Sequence, residues 1–131
     1  MDLVLGEETA RQEILQSERW AIMNVWKPLK TIYRRPLALS DSRTVPDSDL
    51  IEVPRDYGGK PGGNIVVKAN SAHRWYYLHR QTPEEVVVFK IYDTGAEGVE
   101  ATRVPHTSFE HPTENEGEVR ESIETRAFLF W

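Results

Sequence analysis

The sequence predicts a mainly β chain, a sandwich or barrel-like jelly roll that opens with one short helix. Three observations point there. Short runs rich in β-branched and aromatic residues recur, among them Trp20 to Trp26, Asn64 to Ala69, Arg74 to Leu78, Val86 to Tyr92 and Ser122 to Trp131. Glycine and proline punctuate them, as at Lys27-Pro28 and through Asp56 to Gly63. Only Glu7 to Glu18 offers a helix-length stretch, so the alternating helices of an α/β fold have no source.

The elements follow in order. In Glu7 to Glu18, Ile14 and Leu15 form a small apolar stripe, and the rest is polar, so this helix needs a partner surface. It belongs to a polar segment, residues 1–19, that precedes a domain spanning 20–131. Trp20 to Trp26 is a strand that Lys27-Pro28 interrupts, since proline donates no ladder hydrogen bond and restrains the residue before it. Pro36 to Leu39 is a second, short strand. Asp41 to Asp49 reads as turns with local side-chain caps, and Asp56 to Gly63 as a glycine-rich loop. No Gly-Lys-Ser/Thr follows that loop, so it is not a phosphate-binding loop. Thr82 to Glu85 has the form of a cap and first helical turn, with Pro83 near its start. Asp93 to Gly98 is a turn, Glu100 to Val104 alternates weakly, and Glu110 to Gly117 is an exposed polar loop. The closing strand ends in apolar residues that belong inside a sheet.

A chain of 131 residues suits one domain with a real core. It has no cysteine, which excludes disulfides, thiolate metal sites and cysteine nucleophiles. The formal charge of -5 comes from interleaved acids and bases, so no nucleic-acid footprint is expected. No apolar run approaches a membrane span, and Met1 to Arg11 lacks the basic and apolar regions of a secretion signal. The expected location is the cytoplasm.

Four histidines, His73, His79, His106 and His111, are the only imidazoles for metal or acid–base work, and none stands in His-x-Asp, His-x-His or His-Glu-x-x-His. Their spacing alone supports no metal site. His106 in Pro105-His106-Thr107 is followed fourteen residues on by Arg120-Glu121-Ser122. If those two elements pair as antiparallel strands, the Arg120 fork can clamp a carboxylate while Ser122, two residues on and on the same face, adds a hydrogen bond. The competing reading is a surface arginine beside Glu118 and Glu121. Asn24, Trp26, His73, Trp75 and Tyr77 are candidates for facing a substrate. Asn24 and Trp26 share a strand face, and either orient a ligand or simply pack. Trp75 and Tyr77 face one way, Arg74 and Tyr76 the other, and alternation does not say which pair lines a cavity. His79 and His111 read as surface residues. Asp41 and Arg43 read as a buried pair that fixes a turn.

The stretches Asn24 to Leu29 (NVWKPL), Pro36 to Val45 (PLALSDSRTV), Ala72 to Tyr77 (AHRWYY), Thr82 to Glu85 with the apolar strand after it, Pro105 to Phe109 (PHTSF) and Arg120 to Arg126 (RESIETR) carry a family resemblance. In this order, the chain from about Trp20 to its end resembles the second half of the fungal and bacterial hydroxylase/desaturase family that includes the CmcJ-like cephem-biosynthesis proteins and the gibberellin GA4 desaturase. That resemblance implies a jelly-roll (double-stranded β-helix) oxidoreductase of dioxygenase type, with iron(II) and 2-oxoglutarate as cofactor and co-substrate. The implied reaction is hydroxylation or desaturation of a small apolar secondary metabolite, coupled to decarboxylation of 2-oxoglutarate. Carried over residue by residue, His106 matches the distal iron ligand, Arg120 the arginine on the far carboxylate of 2-oxoglutarate, and Ser122 its helper. Arg126 is the rival for the carboxylate, because alternation puts it on the same face.

The departure from the family is that only 23 residues precede Asn24 and none is histidine, so the His-x-Asp pair of the iron triad is missing. The jelly roll is then expected to be incomplete, with an open apolar edge. A truncated product, completion of the site by a second chain or dimer partner, and a silent binding or scaffold protein that holds no cofactor all remain open. So does a non-redox isomerase or cyclase, for which His106 with Glu121 or Tyr76 would be the acid–base pair.

Overall fold

The computed structural model describes residues 7–56, 58, 61–95, 103–114 and 116–131. One helix, α1 (Glu7–Gln16), is followed by β1 (Trp20–Pro28), β2 (Leu37–Ser40), two 3-10 turns (Ser42–Thr44 and Asp47–Asp49), β3 (Leu50–Asp56), β4 (Pro61–Val67), β5 (Trp75–Tyr77), β6 (Val87–Asp93), β7 (His106–Ser108) and β8 (Ser122–Phe130). The strands form three antiparallel sheets in the orders β6-β1-β8, β5-β2-β7 and β3-β4. The fold is mainly β and of jelly-roll type, as the strand pattern predicts.

Trp26 and Phe89 from the first sheet meet Leu37 from the second, with Ile32 from the connection between them, and Leu39, Val87, Ile91 and Val104 pack around that cluster. One face of the first sheet can be read row by row from its register. Val87, Trp26 and Glu124 stand side by side, then Phe89, Asn24 and Arg126. Beyond a bulge between Ile22 and Met23 come Tyr92, Ile22 and Phe128. The bulge lets the sheet twist where Trp20 stacks on Tyr92, ring centroids 4.8 Å apart.

Two devices hold the ends of this sheet. Asp93 closes β6 with its carboxylate buried, and it accepts from Arg19 at 2.8 Å, Lys90 at 2.7 Å and the Gly95 amide at 2.9 Å. Those donors hold the carboxyl well below the usual carboxylate range, Arg19 contributing most. At the other end, Lys30 binds both Glu118 and Glu121. Just before, Gly117 sits at φ 107°, where a Cβ would come within 3.1 Å of the Tyr33 Cβ. Gly117→Ala is therefore expected to cost about 1–3 kcal/mol, read as a lower denaturant midpoint at unchanged slope.

Several expectations are corrected. Strand β1 runs on through Pro28 instead of stopping at Lys27. β6 pairs only as far as Trp26, so Pro28 has β8 alone beside it and its missing donor leaves no neighbour unsatisfied. Residues of the glycine-rich loop join a hairpin, with β4 starting at Pro61 and pairing with β3, which includes Pro54. A two-stranded hairpin has free edges, and proline is tolerated on them. Thr82 to Glu85 is a turn, not a helix start. The Glu85 carboxylate accepts from the Thr82 amide and hydroxyl as in a capping box, but the chain then enters β6. Asp41 caps the Arg43 amide and binds its guanidinium, yet that arginine is exposed, so the pair fixes the turn without being buried. The weak alternation of Glu100 to Val104 falls mostly outside the described residues.

Candidate functional site

His106 and Arg120 do not pair side by side, as the sequence reading supposed. The strand carrying His106 pairs with β2 in one sheet, and β8 pairs with β1 in the other. The chain crosses between the sheets just before His106. The Val104 amide donates to the Lys90 carbonyl of β6, and the Pro105 carbonyl accepts from the Ser40 amide of β2. His106 thus stands at a corner between the sheets, with its ring edge-on to Phe89 at 4.7 Å between centroids. Its Nδ1 lies 3.0 Å from the Val104 carbonyl oxygen, which can only accept, so in the neutral ring Nδ1 carries the proton and Nε2 the lone pair. A metal-binding imidazole needs this state.

Across from it, the row of Phe89, Asn24 and Arg126 continues from His106 through Phe89. Asn24 is fully buried. Its Nδ2 donates to Glu124 Oε1 at 2.5 Å, and its Oδ1 accepts from Arg126 Nε at 3.4 Å. Arg120 precedes β8 and turns inward. Its guanidinium stacks 5.5 Å from the Trp26 ring, and Nη1 donates to the Arg35 carbonyl at 2.9 Å. Desolvation lowers its pKa, with the field of Glu124 opposing. Among the described residues no carboxylate lies within ion-pair distance of it. The competing surface reading fails because Lys30 engages Glu118 and Glu121 instead. Ser122 opposes Pro28 in the register, at the start of β8.

The remaining candidates separate. Trp26 is core and forms the floor under Arg120. His73 is not brought to this face: its side chain is buried in a loop, with Nε2 2.9 Å from Asp49. In the second sheet Tyr76, Leu39 and His106 form one row, so of the two alternating pairs it is Tyr76 that shares the face of the histidine. Tyr77 packs edge-on against Phe109, 5.1 Å between centroids, and Trp75 opposes Ser40. A cavity of about 400 Å³ opens beside the Tyr76 row, lined by Leu37, Leu39, Tyr76, Tyr77, Leu78 and Val87 among others. Tyr77 reaches its rim. Glu121, the loose acid–base candidate, is held by Lys30. His79 is exposed and paired with Glu114, and His111 accepts the Thr113 and Glu114 amides. Glu124 was not singled out from the sequence, although its place between Ser122 and Arg126 on one alternating face was the available signal.

The fit to the implied groups divides. Among the described residues no three histidine, aspartate or glutamate side chains converge on a point. One imidazole with a free Nε2 does not make an iron site, which needs several donors. A dicarboxylate fits better, because Arg120 is partly desolvated and anchored, and among the described residues no carboxylate lies within ion-pair distance of it.

Three antiparallel sheets that set one imidazole edge-on to Phe89 and one arginine over Trp26 give the class, an oxygenase-like jelly roll. The chain belongs to the family described as an oxidoreductase/YMDC permease-like domain, which it matches over residues 2–130. It is 41% identical over 144 residues to the hydroxylase/desaturase efuI of Hormonema carpetanum, covering 96% of this chain and 48% of that protein. It is 41% identical to the gibberellin cluster GA4 desaturase of Gibberella fujikuroi, covering 96% of this chain and 40% of that one. Among solved structures it superposes on the iron and alpha-ketoglutarate-dependent endoperoxidase NvfI with a TM-score of 0.80 at 33% identity, over 97% of this chain and 46% of that one. The chain spans between 40% and 48% of the length of these relatives. Among the described residues no helix is long and apolar enough to cross a membrane.

Proposed function

We propose that this chain forms the carboxylate-binding half of an iron(II)/2-oxoglutarate oxygenase acting on a small apolar metabolite by hydroxylation or desaturation, with 2-oxoglutarate decarboxylated to succinate. The observation that carries the reading is Arg120, a half-buried guanidinium stacked on Trp26 with no acidic partner among the described residues. Its remaining N–H groups suit the far carboxylate of 2-oxoglutarate, and Ser122 lies two residues on. Arg126, the rival, stands in the next row and is held through Nε by Asn24. The names of the relatives and of the superposed endoperoxidase support the same chemistry. The apolar cavity beside Tyr76 suits the body of the substrate.

His106 is the one iron ligand that this reading takes from the described residues, and the other ligands come from a second polypeptide segment. Strand β8 pairs only with β1 and β7 only with β2 among the described residues, and edges of this kind accept an added strand. The residues 20–131 act as the binding domain in this reading.

Calorimetry under anaerobic conditions tests it. The chain is expected to bind 2-oxoglutarate, and Arg120→Ala to weaken that binding by at least about tenfold, in line with the loss of a charge-assisted hydrogen bond. Iron(II) alone is expected to bind weakly. Affinity for 2-oxoglutarate that is unchanged in Arg120→Ala would sink the clamp. Tight stoichiometric iron binding, lost in His106→Ala, would show that this chain needs no second segment.

A further inference from the structure

The side chain least accounted for is Asn24. It is the most deeply buried polar residue on the inner face, and it stands between two charges that would otherwise meet. Glu124 and Arg126 are two apart on β8 and face the same way. Among the described residues no ion pair joins them directly. Asn24 lies opposite Arg126 in the register and reaches both, donating from Nδ2 to Glu124 and accepting at Oδ1 from Arg126 Nε. A carboxamide can do both at once. An apolar side chain could do neither, and a carboxylate could only accept.

We infer that Asn24 is a positioning residue: it keeps Arg126 from closing on Glu124, so that the Arg126 terminal N–H groups face the space between Arg120 and His106. Three placements support this. Arg126 is held through Nε, the base of its fork, which leaves both Nη groups for a ligand. The Arg120 guanidinium lies over Trp26, in the row next to Asn24 and Arg126, and two residues along a strand span roughly 6.6 Å. On the other side, Phe89 links Asn24 to the His106 ring. The ligand chemistry is a carboxylate oxygen of the co-substrate, so the inference rests on the 2-oxoglutarate reading for its ligand, though not for the geometry of Arg126.

Arginine side-chain NMR of the 15N-labelled chain separates the two. In the wild type the Arg126 Nε–H is expected to exchange with water at least about tenfold more slowly than that of the helix residue Arg11, and to shift when 2-oxoglutarate is added. Asn24→Leu, which keeps the branched skeleton at a larger volume and removes both hydrogen bonds, is expected to bring Arg126 to the Arg11 rate. Glu124→Gln keeps an acceptor for Nδ2 and is expected to leave Arg126 protected. An unprotected Arg126 in the wild type overturns the inference without any variant, which covers the case in which Asn24→Leu does not fold. Protection that survives in a folded Asn24→Leu overturns it as well. Protection that depends on Asn24, with no response to 2-oxoglutarate, upholds the positioning role and removes the co-substrate reading instead.

Discussion

Asp93→Ala is expected to destabilise the fold by about 3–5 kcal/mol, because it strands Arg19 beside a site built around a buried anion and removes the carboxylate that Lys90 also binds. Urea unfolding at neutral pH measures it, and a loss below about 1 kcal/mol would show that the cluster acts as a mere surface pair. The carboxylate sits at the end of β6, binds Arg19 just ahead of β1 and receives the Gly95 amide from the following turn. It therefore ties two strands and a turn at one point. The same group sets a pH dependence. Its folded pKa lies below the ordinary carboxylate value, so the folded state binds the proton less readily than the unfolded chain. The stabilisation is present above about pH 4 and fades as pH falls towards the lower folded value. Asp93→Asn should lose this acid-side slope, and a variant that keeps the full slope would assign it to other carboxylates.

Phe89→Ala should cost about 3–5 kcal/mol, the range for emptying a large aromatic position in a core. It also has a local consequence that a distant core substitution would not have. Phe89 is the wall against which the His106 ring stands and the cross-strand neighbour of Asn24. Loss of the ring should shift the His106 ring signals in an NMR spectrum of the folded variant more than Ile32→Val does, although Ile32 belongs to the same core. Equal shifts in the two variants would mean that Phe89 does not set the ring orientation.

Much of the site was legible one residue at a time. Alternation in RESIETR placed Arg120, Ser122 and Arg126 on one face, and in WAIMNVW it placed Asn24 with Trp26. The register keeps Asn24 with Trp26 and Ser122 with Arg126, because the side-chain period of a strand is two whatever the strand packs against, while Arg120 lies ahead of β8, outside that register. The same argument failed where a local signal competed with its surroundings. Pro28 read as a strand breaker, but it lies where an edge excuses its missing donor. Thr82 to Glu85 carries a capping pattern, and the β-branched run behind it decides for a strand.

By itself the sequence determined the fold class, the short opening helix, which residues share a face along β1 and along β8, and the family to which the chain belongs. The tertiary structure alone decided that His106 and Arg120 stand on different sheets, that Tyr76 rather than Trp75 shares the histidine's face, that His73 is tied to Asp49 in a loop, and that Asn24 joins Glu124 to Arg126. The physical reason is that strand periodicity acts within a few residues and is written locally. Which strands become neighbours depends on packing and register between segments up to a hundred residues apart, as Asn24 and Glu124 are.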